Sequence, residues 1–250
     1  MFAARATGAR PGAEPAAETP TDPHIPLLDD AIDHAAELEK KPTWRGWIHA
    51  GTFPLAIAAG IVLIVLSDGA PAKAASAVFM ASSLLLFGVS AVYHRFNWSP
   101  NVKAVFRRLD HSNIFLLIAG TYTPLAIDAL EWPKNIIMLS VIWGGAILGI
   151  LSRIFWIKAP RWSYVVLYIA LGWAAVIYMG DLFAANPVTM ILVIIGGVSY
   201  TVGALFYAFK RPNPVPGVFG FHELFHTCTV IAFLCHWAGI LLIAMNPIAF

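Results

Sequence analysis

The sequence predicts an all-α integral membrane protein, a bundle of seven transmembrane helices. Of its 250 residues, 59% are hydrophobic and only 12% are charged, whereas a soluble domain carries about 25% charged residues. Apolar runs of about 18 or more residues, the length that crosses a bilayer, recur along most of the chain. The net charge of +2 predicts no strongly basic surface. The expected partners are therefore membrane lipids, with no nucleic acid, and the sequence sets no oligomeric state.

Seven apolar runs define the predicted spans, and each break between them contains residues that interrupt helices. The spans cover residues 47–67, 72–94, 111–130, 134–155, 162–182, 187–209 and 219–245. The breaks contain, in order, Ser67-Asp68-Gly69, Trp98-Ser99-Pro100, Glu131-Trp132-Pro133, Ala159-Pro160, Asn186-Pro187 and the proline-rich residues 212–217. Residues 1–43 lack an apolar run and are rich in Ala, Pro, Glu and Thr, which predicts a disordered tail. Residues 44–250 then form the transmembrane domain.

The positions of lysine and arginine predict the orientation of the bundle. These residues concentrate before the first span and after the second, fourth and sixth spans, and only Lys73 and Lys134 fall on the opposite side. Loops rich in these residues stay in the cytoplasm. We therefore expect a cytoplasmic N-terminus and tail, and a C-terminus outside.

Two histidines, His222 and His226, lie inside the last apolar run. The i, i+4 spacing places both imidazoles on one face of a helix, one turn apart, where they can share a metal ion. A polar ring at membrane depth is costly and is usually functional. The pair therefore indicates part of a metal site.

The predicted topology places further polar residues at the same depth as this pair. His94 ends the second span and Asp110 opens the third, both on the cytoplasmic side. Three histidine ligands and one open position are typical of catalytic zinc, which lowers the pKa of water to about 7. Asp110 is placed to hold and deprotonate that water, or to orient a ligand. Ser90, one turn before His94, is placed to hydrogen-bond the substrate, the water or Asp110.

Simpler interpretations of the same residues stay open. Asp110 is also positioned to cap the third span or to pair with Arg107 or Arg108. Ser90 could bond only to a carbonyl of its own helix. The remaining histidines of the spans are interpreted as polar residues without a metal, and these are His49, His111 and His236.

Glu223 raises a separate alternative. Together with His222 and His226 it matches the His-Glu-x-x-His pattern of zinc metalloproteases, in which the glutamate is the general base. The third ligand would then be His94. The pattern is short, so an intramembrane metalloprotease remains one alternative and a bystander role for Glu223 another.

Three blocks of sequence together resemble a known family. They are Ser90-Ala91-Val92-Tyr93-His94-Arg95, the segment from Leu109-Asp110-His111 to Tyr122-Thr123-Pro124, and Phe221-His222-Glu223-Leu224-Phe225-His226. In this order over seven spans, they resemble the hemolysin III family, the bacterial branch of the progestin and adipoQ receptor family. The resemblance covers roughly residues 44 to 245.

The resemblance implies a cytoplasmic N-terminus and a zinc ion near the cytoplasmic face. The implied ligands are His94, His222 and His226, with Asp110 and Ser90 beside them. A relationship to alkaline ceramidases implies hydrolysis of a lipid amide or ester, and the bacterial branch implies the inner (plasma) membrane. Two further functions stay open: a receptor-like regulator of membrane lipid state with structural zinc, and a pore-forming, cytolytic channel.

Overall fold

A computed structural model of the protein describes residues 41–156 and 161–248. Within these ranges the chain forms eight α-helices and one short 3₁₀ helix, and no strand. The α-helices are α1 Trp47–Leu66, α2 Gly69–Arg95, α3 Pro100–Ala129, α4 Lys134–Phe155, α5 Arg161–Gly172, α6 Met179–Ala185, α7 Pro187–Phe209 and α8 Phe221–Ala244; the 3₁₀ helix is Ala174–Tyr178. The prediction of an all-α protein is confirmed. The predicted disordered tail falls almost entirely outside the described residues.

Six segments of the described chain are long and apolar enough to cross a membrane. They comprise α1, α2, α4, α7, α8 and the composite segment Ser163–Ala185. Two of them, Lys134–Phe155 and Pro187–Phe209, have the predicted ends. Large apolar side chains project outward from these helices, among them Val65, Leu148 and Ile177, which are 66%, 68% and 75% exposed. Such surfaces are compatible with lipid and not with water.

Helix α3 begins eleven residues earlier than the predicted third span. It starts at Pro100, a residue that fits the first turn of a helix because its missing N–H would have no partner there. The added turns carry Lys103 and Arg107, so they are helical without being apolar enough to enter hydrocarbon. Asp110 consequently lies inside the helix. The alternative that it caps the third span is therefore wrong.

The predicted span 162–182 is interrupted by an irregular turn. Helix α5 ends at Gly172, and the 3₁₀ helix begins at Ala174. The buried hydroxyl of Tyr122 on α3 occupies this break, donating to the Gly172 carbonyl at 2.7 Å and accepting from the Ala175 N–H at 2.8 Å. One tyrosine thus satisfies backbone groups that the interruption leaves without helical partners.

Helix α8 packs against α1, α2, α3 and α7. Small residues permit close approach elsewhere in the bundle: a Cβ at Gly120 of α3 would collide with the Ser82 side chain of α2. The end of α2, the first half of α3 and the start of α8 meet at one place in the bundle. These are the three places where the predicted site residues lie.

Candidate metal centre

Three histidines from two helices meet at the start of α8. His94 ends α2, and His222 and His226 occupy the first two turns of α8. One ring nitrogen from each lies within 4.8 Å of the others. His94 and His226 are buried, at 8% and 2% exposure, and His222 is half-buried. The i, i+4 spacing and the packing of α2 on α8 together produce this arrangement.

The spacing and chemistry of the three histidines meet the requirements of zinc. Nitrogen ligands about 2.0–2.1 Å from a tetrahedral zinc ion lie roughly 3.3 Å from one another. The Nε2 atoms of His94 and His222 are 3.2 Å apart. Neutral imidazoles suit zinc and other borderline metals, and three of them leave one position open for water or substrate. The residues present therefore fit a zinc ion of the catalytic type.

Asp110 and Ser90 flank the histidines. The Asp110 Oδ2 atom lies 3.7 Å from His94 Nε2, and its side chain is 15% exposed. Ser90, at 1% exposure, sits one turn before His94, and its hydroxyl approaches the Asp110 carboxylate. Asp110 thus lies beside the histidine cluster, and Ser90 lies beside Asp110.

His49 is a buried neighbour of the site that the sequence interpretation missed. Its ring stacks on His226 with centroids 3.8 Å apart and planes 9° from parallel, and its edge meets Phe87. Neither of its ring nitrogens has a hydrogen-bond partner among the described residues. The available signal was position: His49 lies near the start of the first span, at the predicted depth of His94.

The other two histidines make hydrogen bonds away from the cluster. His111 Nδ1 donates to the Arg107 carbonyl at 2.6 Å, so Nε2 accepts from the Tyr207 hydroxyl at 3.2 Å. On α8, His236 Nε2 bonds the Val193 carbonyl at 3.2 Å. Neither His111 nor His236 belongs to the three-histidine cluster found among the described residues.

Glu223 is held away from the histidine cluster. Its Oε1 accepts from Arg45 Nε at 2.6 Å, and its Oε2 accepts from the Gly220 N–H at 2.9 Å, which caps α8. The carboxylate is 1% exposed. Because both oxygens are engaged, Glu223 fixes the first turn of α8 and with it the position of His222.

A segment before α1 covers this end of the bundle. The Thr43 and Trp44 N–H groups donate to the carbonyls of Gly217 and Val218 at 3.2 Å. Gly46 then turns the chain with a φ of +81°, and a Cβ there would lie 2.9 Å from His94 Cβ. Only glycine combines this backbone conformation with this approach.

The histidines form one end of a largely apolar cavity. Its polar end includes His49, Ser90, Asp110, His222 and His226. From there it continues between α3, α5, α7 and α8 to residues that lie deeper in the bundle. Its apolar walls are formed by Leu86, Ile114, Leu117, Ile118, Val165, Ile169 and Phe225, among others. The lining is therefore apolar along most of the cavity and polar at the end where the histidines lie.

Comparison with known proteins gives a consistent family. The family described as Haemolysin-III related matches residues 38–237. Hemolysin-3 of Bacillus cereus is 35% identical over 63% of this chain and 73% of its own length. The Hemolysin-3 homolog of Bacillus subtilis (strain 168) is 33% identical over 54% of this chain, but only 63% of that protein is covered.

A eukaryotic relative extends the comparison. Progestin and adipoQ receptor-like protein 1 of Caenorhabditis elegans is 32% identical over 67% of this chain and 43% of its own length. The family match at residues 38–237 includes all three histidines of the cluster. The chain is a multi-pass membrane protein and belongs to the haemolysin-III related family, among the relatives of the progestin and adipoQ receptors.

Proposed function

We propose that the protein is a zinc-dependent hydrolase that cleaves an amide or ester bond of a membrane lipid at the cytoplasmic leaflet. The observation that carries this proposal is the cluster of three histidine nitrogens within 4.8 Å, with Asp110 beside it, at the end of an apolar cavity. A site of this kind combines metal ligands, a carboxylate and an apolar cavity wall that can contact lipid.

The ion would be held by His94, His222 and His226, and it would polarise the scissile carbonyl and lower the pKa of water. Asp110 accepts a proton from the attacking water and passes it to the nitrogen or oxygen that leaves the carbonyl carbon. Ser90 orients the Asp110 carboxylate during both transfers. The apolar walls align the acyl chain and exclude bulk water from the reacting bond.

Metal analysis tests the ligand assignment. Purified wild-type protein is expected to contain stoichiometric zinc, and His226→Ala is expected to lose most of it. His236→Ala is the matched control, because this histidine lies on the same helix about 15 Å further along and outside the cluster. Full zinc content in the His226→Ala protein would show that the cluster is not the metal site.

A lipid-hydrolysis screen tests catalysis. Asp110→Asn removes the proton acceptor while keeping the size of the side chain, so zinc should remain and turnover should fall by about a hundredfold or more. Equal product from wild type and Asp110→Asn would remove Asp110 from the mechanism. Zinc without turnover on any lipid amide or ester would instead favour a receptor-like regulator with structural zinc.

We also infer that α3 is the seventh span and that the protein lies in the bacterial inner membrane. Residues 112–129 of α3 are helical, pack at the centre of the bundle and carry no basic residue. Their polar residues, such as Asn113 and Asp128, are buried against other helices and not exposed to lipid. A phosphatase fused after Ile248 should be active outside the cytoplasm, and an inactive fusion would contradict seven spans.

A further inference from the structure

The deep end of the cavity contains two polar atoms without partners. They are the hydroxyl of Tyr200 on α7 and the Nδ1 atom of His236 on α8. Both residues line the cavity, and their ring centroids are 5.5 Å apart. Across the described residues, neither atom finds a hydrogen-bond donor or acceptor. Buried polar atoms left in this state are rare in native proteins and indicate a missing partner.

The neighbours of His236 define what its free nitrogen can do. Nε2 lies 3.2 Å from the Val193 carbonyl, and a carbonyl only accepts, so Nε2 carries the proton. In the neutral ring, Nδ1 is then an acceptor. The ring also packs closely against Gly196 of α7, where an added Cβ would collide with its Cδ2 atom. The direction of the acceptor is therefore fixed by the fold.

The Tyr200 hydroxyl supplies the complementary group. It can donate one hydrogen bond and also accept one. A hydroxyl brought between the two side chains could donate to His236 Nδ1 and accept from Tyr200. A methylene at the same place would leave both buried atoms unpaired, and sites built in this way discriminate strongly against the analogue that lacks the hydroxyl.

We propose that Tyr200 and His236 form a specificity subsite for a hydroxyl group carried along the lipid chain. The inference rests on the proposed function, because it takes the cavity to hold the lipid. His236 follows His226 by ten residues on one continuous helix, which separates the subsite from the histidine cluster by about 15 Å. The recognised hydroxyl is therefore in the middle of the chain and far from the bond that is cleaved.

Tyr122 lies in the same cavity but, unlike that of Tyr200, its hydroxyl has hydrogen-bond partners. It also lines the wall, but its hydroxyl donates to Gly172 and accepts from Ala175. It has a structural role in the α5 break, and its single proton is already donated to Gly172, so it has none left to donate to a ligand. The contrast makes Tyr122→Phe a matched control for Tyr200→Phe.

A binding experiment on the purified full-length protein tests the subsite. The probes are fatty acids of one chain length in which a hydroxyl moves along the chain, with the unsubstituted acid as reference. They compete with a fluorescent fatty acid. One mid-chain position should bind about tenfold more tightly than the reference, the gain expected from two hydrogen bonds to otherwise unpaired groups. Tyr200→Phe should reduce this preference to about two- or threefold, whereas Tyr122→Phe should keep it.

Each other outcome is decisive. Equal binding of all hydroxy acids and the reference would show that the two atoms are bridged only by water, and would overturn the subsite. If the preference for one hydroxyl position were unchanged in both Tyr200→Phe and His236→Leu, the hydroxyl would be recognised elsewhere in the cavity and the proposed subsite would be wrong. Absence of binding by every acid would refute the lipid cavity itself. Because no turnover is measured, failure of hydrolysis or of zinc binding leaves the hydroxyl preference independently measurable.

Discussion

Removing Arg45 should destabilise the protein more than removing both members of its ion pair. Arg45 contacts Glu223 at 2.6 Å, and the two side chains are 22% and 1% exposed. Among the described residues, Arg45→Met would leave the buried carboxylate with the Gly220 N–H as its one remaining partner. Losing one member of a buried pair costs about 3–5 kcal/mol. Because water reaches the Arg45 side of this pair, we expect the lower end, about 3 kcal/mol.

Glu223→Gln should cost less, about 1 kcal/mol, because the amide oxygen still accepts from Gly220 and Arg45 can turn toward solvent. In the double variant Arg45→Met/Glu223→Gln, neither side chain of the former ion pair carries a charge. Its loss of stability should therefore be smaller than that of Arg45→Met alone, which gives a coupling free energy of about 2 kcal/mol.

The assay is reversible denaturation of the four proteins in one detergent, followed by tryptophan fluorescence. Lys41→Met is the control for removing a cation from the same segment. Among the described residues, its ammonium group donates to the Phe96 carbonyl and the Asn97 side chain at the surface. This substitution should cost under about 1 kcal/mol. A coupling free energy below about 0.5 kcal/mol would refute the argument that Glu223 depends on Arg45.

Two further substitutions test the packing around the site. Gly46→Ala should lower stability by about 1–3 kcal/mol and weaken zinc binding, because of the positive φ and the contact with His94; an unchanged melting temperature and zinc affinity would contradict this. Tyr122→Phe should cost about 2–3 kcal/mol, since it leaves the Gly172 carbonyl and the Ala175 N–H unpaired. Hydrogen exchange at Ala175 should increase, and equal protection in both proteins would place the stabilisation of the break elsewhere.

The residues of the histidine cluster could be predicted from sequence because two simple signals coincide. Helical periodicity places His222 and His226 on one face, and the distribution of lysine and arginine places His94 at their depth. The predicted topology gives the position of a residue along the membrane normal, but not its position within the plane of the membrane. Contacts between α2, α3 and α8 then complete the cluster, and these contacts are visible only in the structure.

Features that depend on contacts across helices could not be predicted. The break at Gly172 needs the hydroxyl of Tyr122, fifty residues away, and no local pattern predicts that pairing. His49 joins the site by stacking on a histidine of a different helix. The early start of α3 was missed for a third reason, because hydropathy detects the membrane-embedded part of a helix and not its polar extension.

Glu223 shows why a short motif needs its structural surroundings. Adjacent residues on a helix project about 100° apart, so a glutamate next to a metal ligand does not share that ligand's direction. Here the carboxylate turns toward Arg45 and the start of its own helix, while Asp110 reaches the cluster from α3. A metalloprotease would need Glu223 to give up two hydrogen bonds before it could accept a proton. In the proposed mechanism the general base is therefore Asp110, while the two hydrogen bonds of Glu223 hold the first turn of α8, which carries His222.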